Sequence, residues 1–365
     1  MSLVKQEHYT YNDVTILPCV ISEIEHRIEC NPFDENGMLP LFTAPMDTVV
    51  GKNNFDLFES EKIYAILPRT ENLNLRMSYS SNGKWAAYSL SEFESKFCDD
   101  NKLKTENKIK VLIDVANGHM KKIFELVKRS KGIYGDKIVI MVGNIANPNT
   151  YEAYADVGAD YIRLGIGGGM GCLSSSNLGI HMPMASLIDE TVKRKKKLEK
   201  MGVSKLPKII ADGGIRNYSD IIKAYALGAD YVMVGSVFAR MLESSAVKKS
   251  EKIGYLNNSN LFERISRKDG EWYLDEKTNL GDITAIFYGM ASREGQIALN
   301  GEKTKTSEGL LKRLKVEYNM HGWVNNFTDY LRSAMSYVGS KDIQNFSEHT
   351  TTIVNSTNAI LAVNK

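Results

Sequence analysis

The sequence predicts a (β/α)8 barrel, with a C-terminal extension that carries an active-site flap. Three observations lead there. Eight short apolar runs have the length and composition of buried parallel strands. Amphipathic helical patterns separate several of them. One supersecondary pattern occurs twice. Eight strand–helix units close on themselves more readily than they lie in an open sheet.

The runs are, in order, LPLFTA (39–44), IYAIL (63–67), WAAYSL (85–90), IKVLID (109–114), KIVIMV (137–142), YIRLG (161–165), PKIIA (207–211) and YVMVG (231–235). HMKKIFELVKRSKG (119–132) and PNTYEAYADVGA (148–159) read as covering helices. TYEAYADVGADYIRLG (150–165) and DIIKAYALGADYVMVG (220–235) share the order helix, Gly-Ala-Asp-Tyr, strand, glycine. Gly158 and Gly228 fall where a helix C-cap must turn back. After Gly235 the pattern changes: residues 244–283 read as polar and irregular, including KDGEWYLDEKTN. The reading is a barrel over 1–240 and an extension over 241–365 that wraps its top face. Together they form one catalytic domain over 1–365, with no inserted regulatory domain.

Composition fits this. The chain has 365 residues, 43% hydrophobic and 25% charged, with a net charge of +2, so nothing demands nucleic acid. The basic run Lys193–Lys197 reads as a solvated helix face. Cys19, Cys30, Cys98 and Cys172 form no metal spacing. No apolar signal core or membrane-length run is present. The expectation is a reduced, cytoplasmic protein.

Barrel chemistry sits after the C-terminal ends of the strands. Those positions hold Pro45-Met46-Asp47-Thr48, Pro68-Arg69, Asp114 to Gly118, Gly143-Asn144, Gly165 to Ser176, Asp212-Gly213-Gly214 and Gly235-Ser236. Glycine lets backbone approach a ligand, and successive N–H groups hold phosphate. ADGGI and VGS, on the last two strands, therefore predict a phosphate site. In GIGGGMGCLSSS (165–176), Cys172 ends a glycine-rich loop and hydroxyls follow it. Position alone leaves two readings open: an activated nucleophile or a small buried thiol.

At these residues the sequence resembles the IMP dehydrogenase / GMP reductase family. The resemblance runs through TYNDVTILP, APMDTV, GIGGGMGC, ADGGI, VMVGS, YGMAS and LRSAMSYVGS, in family order. It implies a tetrameric barrel in which the loop cysteine, Cys172, attacks C2 of a purine nucleotide and hydride moves between C2 and a nicotinamide. Carried over by position, Asp212 binds the ribose. Gly213, Gly214, Gly235 and Ser236 surround the phosphate. Met46, Tyr288, Gly289, Met290 and Gly309 hold the nucleotide. Asp114, Ala116, Asn144, Gly165 and Gly167 face the cofactor. The carbonyls of Gly167, Gly169 and Cys172 match a monovalent-cation site, for K+.

Three features resemble the reductase branch. Only Arg69 to Lys84 separate the second and third strands, too few for the dehydrogenases' regulatory insertion. DVANGH (114–119) resembles the reductase cofactor loop. The flap, ASREGQIALNGEKTKTS, is short and lacks the dehydrogenases' Arg-Tyr pair, and TSEG (306–309) resembles the reductases' A-S-E-G. The resemblance thus implies NADPH-dependent reductive deamination of GMP to IMP, with Ser174, in place of a family threonine, and Glu308 protonating the departing ammonia. Arg69 and Lys305 keep positive charge that suits a 2′-phosphorylated cofactor. The alternatives are an IMP dehydrogenase without the insertion and a non-catalytic nucleotide-binding barrel. The chain departs from the family at Gly168, where a proline is usual, at LSSS, and at Met184, where a glutamine is usual.

Overall fold

The computed structural model describes residues 7–99, 103, 105–170, 173–250, 254–256, 266–268, 271–275, 278–303, 306–356 and 359. All eight predicted strands form: β1 (Leu41–Thr43), β2 (Ile66–Leu67), β3 (Trp85–Tyr88), β4 (Ile109–Asp114), β5 (Ile138–Ile145), β6 (Tyr161–Leu164), β7 (Lys208–Asp212) and β8 (Tyr231–Val234). They pair in parallel around one eight-stranded sheet. The ring closes between β1 and β2, where Thr43 N donates to Tyr64 O (2.9 Å) and Tyr64 N to Leu41 O (3.0 Å).

Side-chain alternation divides each strand between two cores. Leu112, Met141, Ile210 and Met233 fill the barrel interior. Val111, Ile113, Ile140, Val142, Ile209 and Val232 pack outward beneath the helices. At the N-terminal end the interior is closed by aromatic rings. Phe42 stacks on Tyr64 at 4.9 Å, and Trp85, Tyr161 and Tyr231 meet edge-on or tilted around them. Buried Asp34 accepts from the hydroxyls of Tyr64 (2.6 Å) and Tyr231 (3.2 Å). This plug closes the barrel interior at its N-terminal end.

The repeated Gly-Ala-Asp-Tyr segment does the same job twice. Asp160 accepts from Ile140 N in the preceding strand (2.7 Å) and from Lys131 on the helix before that strand. Asp230 accepts from Ile209 N (2.7 Å) and from Lys195 in the equivalent positions. Gly158 and Gly228 take the positive φ expected of them. The basic run lies on the helix Met184–Lys200, and Lys193, Arg194, Lys195 and Lys197 all reach carboxylates. It is a paired surface, as its sequence context predicts.

The extension is more ordered than its composition suggests. Within the stretch read as irregular, Lys248–Ser250 pairs with Gly254–Leu256 and with Ile283–Tyr288, which in turn pairs with Leu311–Lys315. Ser266–Lys268, Glu271–Asp275 and Thr278–Asn279 make a second antiparallel sheet. These strands are short and mostly polar, so a composition-based reading misses them. Beyond these sheets the chain leaves the top of the barrel. The helix Met320–Val338 stacks Trp323 and Phe327 on Tyr218 of the barrel helix Tyr218–Ala226. Thr351–Val354 then pairs with Val14–Leu17.

Arg76, almost fully buried, ties β3 to its flanking helices. It donates to Ala87 O (2.8 Å), Glu71 O (2.9 Å) and both carboxylate oxygens of Glu92 (2.7 and 3.1 Å). Burial raises the Glu92 pKa, but the hydrogen bonds and charge of Arg76 and the Ser89 N–H outweigh it and bring the carboxyl down to about 2. A folded-state pKa below the unfolded one stabilises above the unfolded value and is lost as pH falls through the folded value. The pair should therefore contribute on the order of 2 kcal/mol at neutral pH, lost between about pH 4.5 and pH 2. Glu92→Gln is expected to lower the neutral-pH melting temperature and to flatten its decline on acidification, measured by thermal unfolding from pH 7 to 3.

Candidate active site

The positions that face inward near the C-terminal rim continue the same period of two. Asp114 follows Leu112, Gly143 follows Met141, Arg163 follows Tyr161 and Asp212 follows Ile210. Strand register sets Gly143 beside both Asp114 and Arg163. A Cβ at Gly143 would lie 2.5 Å from the Arg163 Cβ, so the missing side chain makes room for the arginine.

Arg163 is the centre of this ring. Its Nη1 donates to Asp114 Oδ1 (2.8 Å), and its Nη2 and Nε donate to Asp212 Oδ2 (2.9 and 3.2 Å). Asn144 Nδ2 donates to the same Asp212 oxygen (2.8 Å) and to Gly165 O (2.6 Å). Burial alone would lower the arginine's pKa, but Asp212 and Asp114 together raise it, so the guanidinium stays charged. The strand–loop junction at Gly165 is tight: a Cβ there would sit 2.0 Å from Asp212 O.

Above this ring lies a cavity of about 580 Å³. Asp212, Gly213, Gly214, Gly235 and Ser236 line it from the last two strands, and Met46 from the loop after β1. Asp114 and Asn144 line it from the ends of β4 and β5, Ala116 and Arg69 from the loops after β4 and β2, and Gly169 from the glycine-rich loop. The extension supplies Gly289, Met290 and Glu308. Residues far apart in sequence thus meet around one space.

Other predicted positions lie just off its wall. Ser174 Oγ donates to Glu308 Oε2 at 3.3 Å. The Glu308 backbone is held from both sides: its N–H donates to Ala291 O (3.0 Å), and its carbonyl accepts from Leu173 N (2.9 Å). Gly309 beside it is buried. Gly167 O accepts from Ser175 Oγ (3.1 Å). Tyr288 does not line the cavity; its hydroxyl donates to Asp47 Oδ2 (2.7 Å) and fastens the extension to the loop after β1. Burial pushes the Asp47 carboxyl up, opposed by that hydroxyl. Cys172 and Lys305 lie outside the described residues.

Sequence reasoning missed Arg163, although a charge inside the apolar run YIRLG was the available signal. It also missed the cavity wall formed by Gln296, Leu299 and Asn300 of the helix Arg293–Asn300. No group of His, Cys, Asp and Glu able to hold a metal ion occurs among the described residues. Nor, among them, is any helix long and apolar enough to cross a membrane.

A plugged (β/α)8 barrel with an acid–arginine ring and glycine turns at its open end defines a ligand-binding barrel of enzymatic type. Residues 91–363 match the family model described as IMP dehydrogenase / GMP reductase domain. The chain belongs to that family, a family of oxidoreductases that use nicotinamide cofactors. It is 29% identical over 245 residues to a protein named GMP reductase from Vibrio parahaemolyticus, covering 67% of this chain and 60% of the relative. It is 26% identical over 350 residues to one named GMP reductase from Staphylococcus saprophyticus, covering 92% of each. To one named inosine-5′-monophosphate dehydrogenase from Rhizobium tropici it is 28% identical over 241 residues, covering 66% of this chain and 43% of the relative.

Removing the arginine would leave Asp212 without its cation and Asp114 with only the longer Arg69 contact (4.0 Å). Arg163→Met is expected to cost about 3–5 kcal/mol of stability. Asp114→Asn in that background should recover part of the loss by removing one of the two charges. Chemical denaturation of the two variants and wild type checks this.

Proposed function

We propose that the chain reduces GMP, or a closely related purine nucleotide, to the 6-oxopurine nucleotide IMP, releasing ammonia at the expense of NADPH. The observation that carries this reading is the Ser174–Glu308 contact at the cavity wall. A hydroxyl bonded to a carboxylate that lines the cavity is suited to proton delivery. Reductive deamination needs such a donor for its leaving amine.

The steps balance as follows. The Cys172 thiolate forms a bond to C2 of the purine. The exocyclic C2–N bond breaks, and the nitrogen leaves as ammonia with a proton relayed from Glu308 through Ser174. Bound NADPH supplies a hydride and is the reductant. Once C2 carries that hydride, the C2–S bond breaks and the thiolate is restored. Two protons are taken up for each nucleotide converted to IMP and ammonium.

The residues around the site suit these ligands. Asp212, at the cavity wall, suits ribose hydroxyls, and the backbone of Gly213-Gly214 and Gly235-Ser236 suits the 5′-phosphate. Arg69 borders both the main cavity and a neighbouring cleft of about 570 Å³ that continues past Asp114, Val115 and Ala116 to Asn117 and Lys122. Its Nη1 lies 4.0 Å from Asp114 Oδ2, and its guanidinium charge at the junction suits an anionic link such as a pyrophosphate. A two-chambered cleft with a cation at its waist accommodates a dinucleotide. For K+, one of the two described carbonyls, Gly167 O, already accepts from Ser175, and no step passes through a cation. We also propose a homotetramer. The exposure of Val20 (100%), Ile21 (83%) and Ile28 (77%) on one N-terminal segment supports self-association.

Glu308→Gln is expected to lower kcat by about 10²–10⁴-fold with little change in nucleotide affinity. Stopped-flow turnover with parallel binding measurements checks this, and an unchanged kcat would remove Glu308 from the mechanism. Intact-mass analysis of quenched wild type should reveal a nucleotide adduct that Cys172→Ala lacks.

A further inference from the structure

The loop after β4 runs along the end of β5. Val115 N donates to Gly143 O (3.2 Å), Asn144 N to Val115 O (2.8 Å) and Gly118 N to Asn144 O (2.8 Å). A Cβ on Gly118 would lie 2.7 Å from Asn144 O, so glycine permits the close approach. Tyr154, on the helix Thr150–Val157, donates its hydroxyl to Gly118 O. Within this seam Val115 and Ala116 border both the main cavity and the second cleft, and Asn117 borders the cleft.

His119 clasps the far end of the seam. Ala146 N donates to its Nε2 (3.1 Å), and its Nδ1 lies 3.0 Å from Thr150 Oγ1. Its own backbone N–H donates to Asn117 Oδ1 (3.1 Å). A backbone N–H can only donate, so Nε2 is bare and the ring proton sits on Nδ1, facing the threonine hydroxyl. The clasp therefore requires the neutral ring. An imidazolium carries a proton on both nitrogens and would set Nε2–H against the Ala146 N–H.

His119 is exposed, yet the packed loops desolvate its ring enough to lower its pKa from the usual 6.5. Burial is the one cause, and no charged group contributes. Residues 145–149 carry no charge. Lys121 and Lys122, which follow His119, pair with Glu125 (3.5 Å) and Glu94 (2.5 Å). On the helix Thr150–Val157, Glu152 pairs with Arg194 (3.8 Å), and Asp156 follows more than one turn after Thr150. Asp114, at the start of the loop, faces Arg163 (2.8 Å). A folded-state pKa below the unfolded one means that the clasp holds above the usual 6.5 and is lost as pH falls through the lower folded value.

We propose that His119 is a positioning residue that fixes the loop after β4 for the dinucleotide and releases it on acidification. This rests on the reading of the cavity and its neighbouring cleft as a nicotinamide-cofactor site. The loop residues that border both chambers lie between the main-chain seam and the clasp, so a released clasp loosens the wall that the cofactor must cross.

Hydrogen exchange of the full chain without ligand, corrected for the intrinsic effect of pH, reads the clasp directly. Exchange of the Ala146 amide should speed about tenfold in wild type from about pH 7.5 to about pH 5.5. It should not in His119→Gln, whose Oε1 accepts from Ala146 N without titrating. Calorimetric titration of the same proteins with NADP+ reads the consequence. Relative to His119→Gln, which carries the ligand's own titration, wild type should lose about three- to tenfold in affinity over that range. His119→Phe should be weaker than His119→Gln by a similar factor at both pH values. Ala146 exchange in wild type that matches His119→Gln throughout overturns the clasp and leaves the proposed function standing. Faster exchange without the matching loss of NADP+ affinity overturns the positioning role. Wild type that binds NADP+ at neither pH overturns the cofactor-site reading and the role of His119 with it.

Discussion

The open end of this barrel depends on one buried cation. Arg163 holds Asp114 and Asp212 at hydrogen-bond distance, and Asn144 closes the arc. Without it, the Asp212 carboxylate would lose its cation and Asp114 would keep only the longer contact to Arg69. With it, four consecutive strands of the ring are fastened at the rim where the ligand must sit. The arrangement also fixes the direction of the Asp212 carboxylate, whose Oδ2 receives three hydrogen bonds. Gly143 and Gly165 are the steric counterpart, since side chains there would collide with the arginine and with the Asp212 backbone.

The second organising feature is how the extension reaches the barrel. Glu308 is held by main-chain hydrogen bonds to Ala291 on one side and Leu173 on the other. Its side chain meets Ser174. The segment beyond Met290 and the glycine-rich loop are therefore joined through the residue proposed to supply the proton. The Tyr288–Asp47 bond ties the same extension to the first strand's loop. The flap is thus held to the barrel at several points.

Much of this was legible in the sequence, for physical reasons. Strands buried on both faces are apolar throughout, so all eight were visible. The Gly-Ala-Asp-Tyr repeat was visible because the same Asp-to-strand and Asp-to-lysine bonds are needed twice. Glycine and small polar groups after the strands marked the ligand side, and Glu308 and Ser174 do meet. Arg163 was less legible because it lies within a strand, whereas barrel chemistry is read from the residues after the strands. Counting inward positions in steps of two from Leu112, Met141, Tyr161 and Ile210 reaches Asp114, Gly143, Arg163 and Asp212. The strands between Lys248 and Asn279 were not legible because short polar ladders are held by backbone bonds that composition does not display. The Gln296 wall depends on a backbone contact at Gly295, which only the fold creates.

The central claim is the direction and chemistry of the reaction. Its most direct test is product stoichiometry with purified protein, GMP and NADPH. The account predicts one IMP and one ammonium for each NADPH oxidised, with no turnover when GMP is omitted. Formation of NADH and XMP from IMP and NAD, with GMP inert, would contradict it and assign the chain to the dehydrogenase reaction.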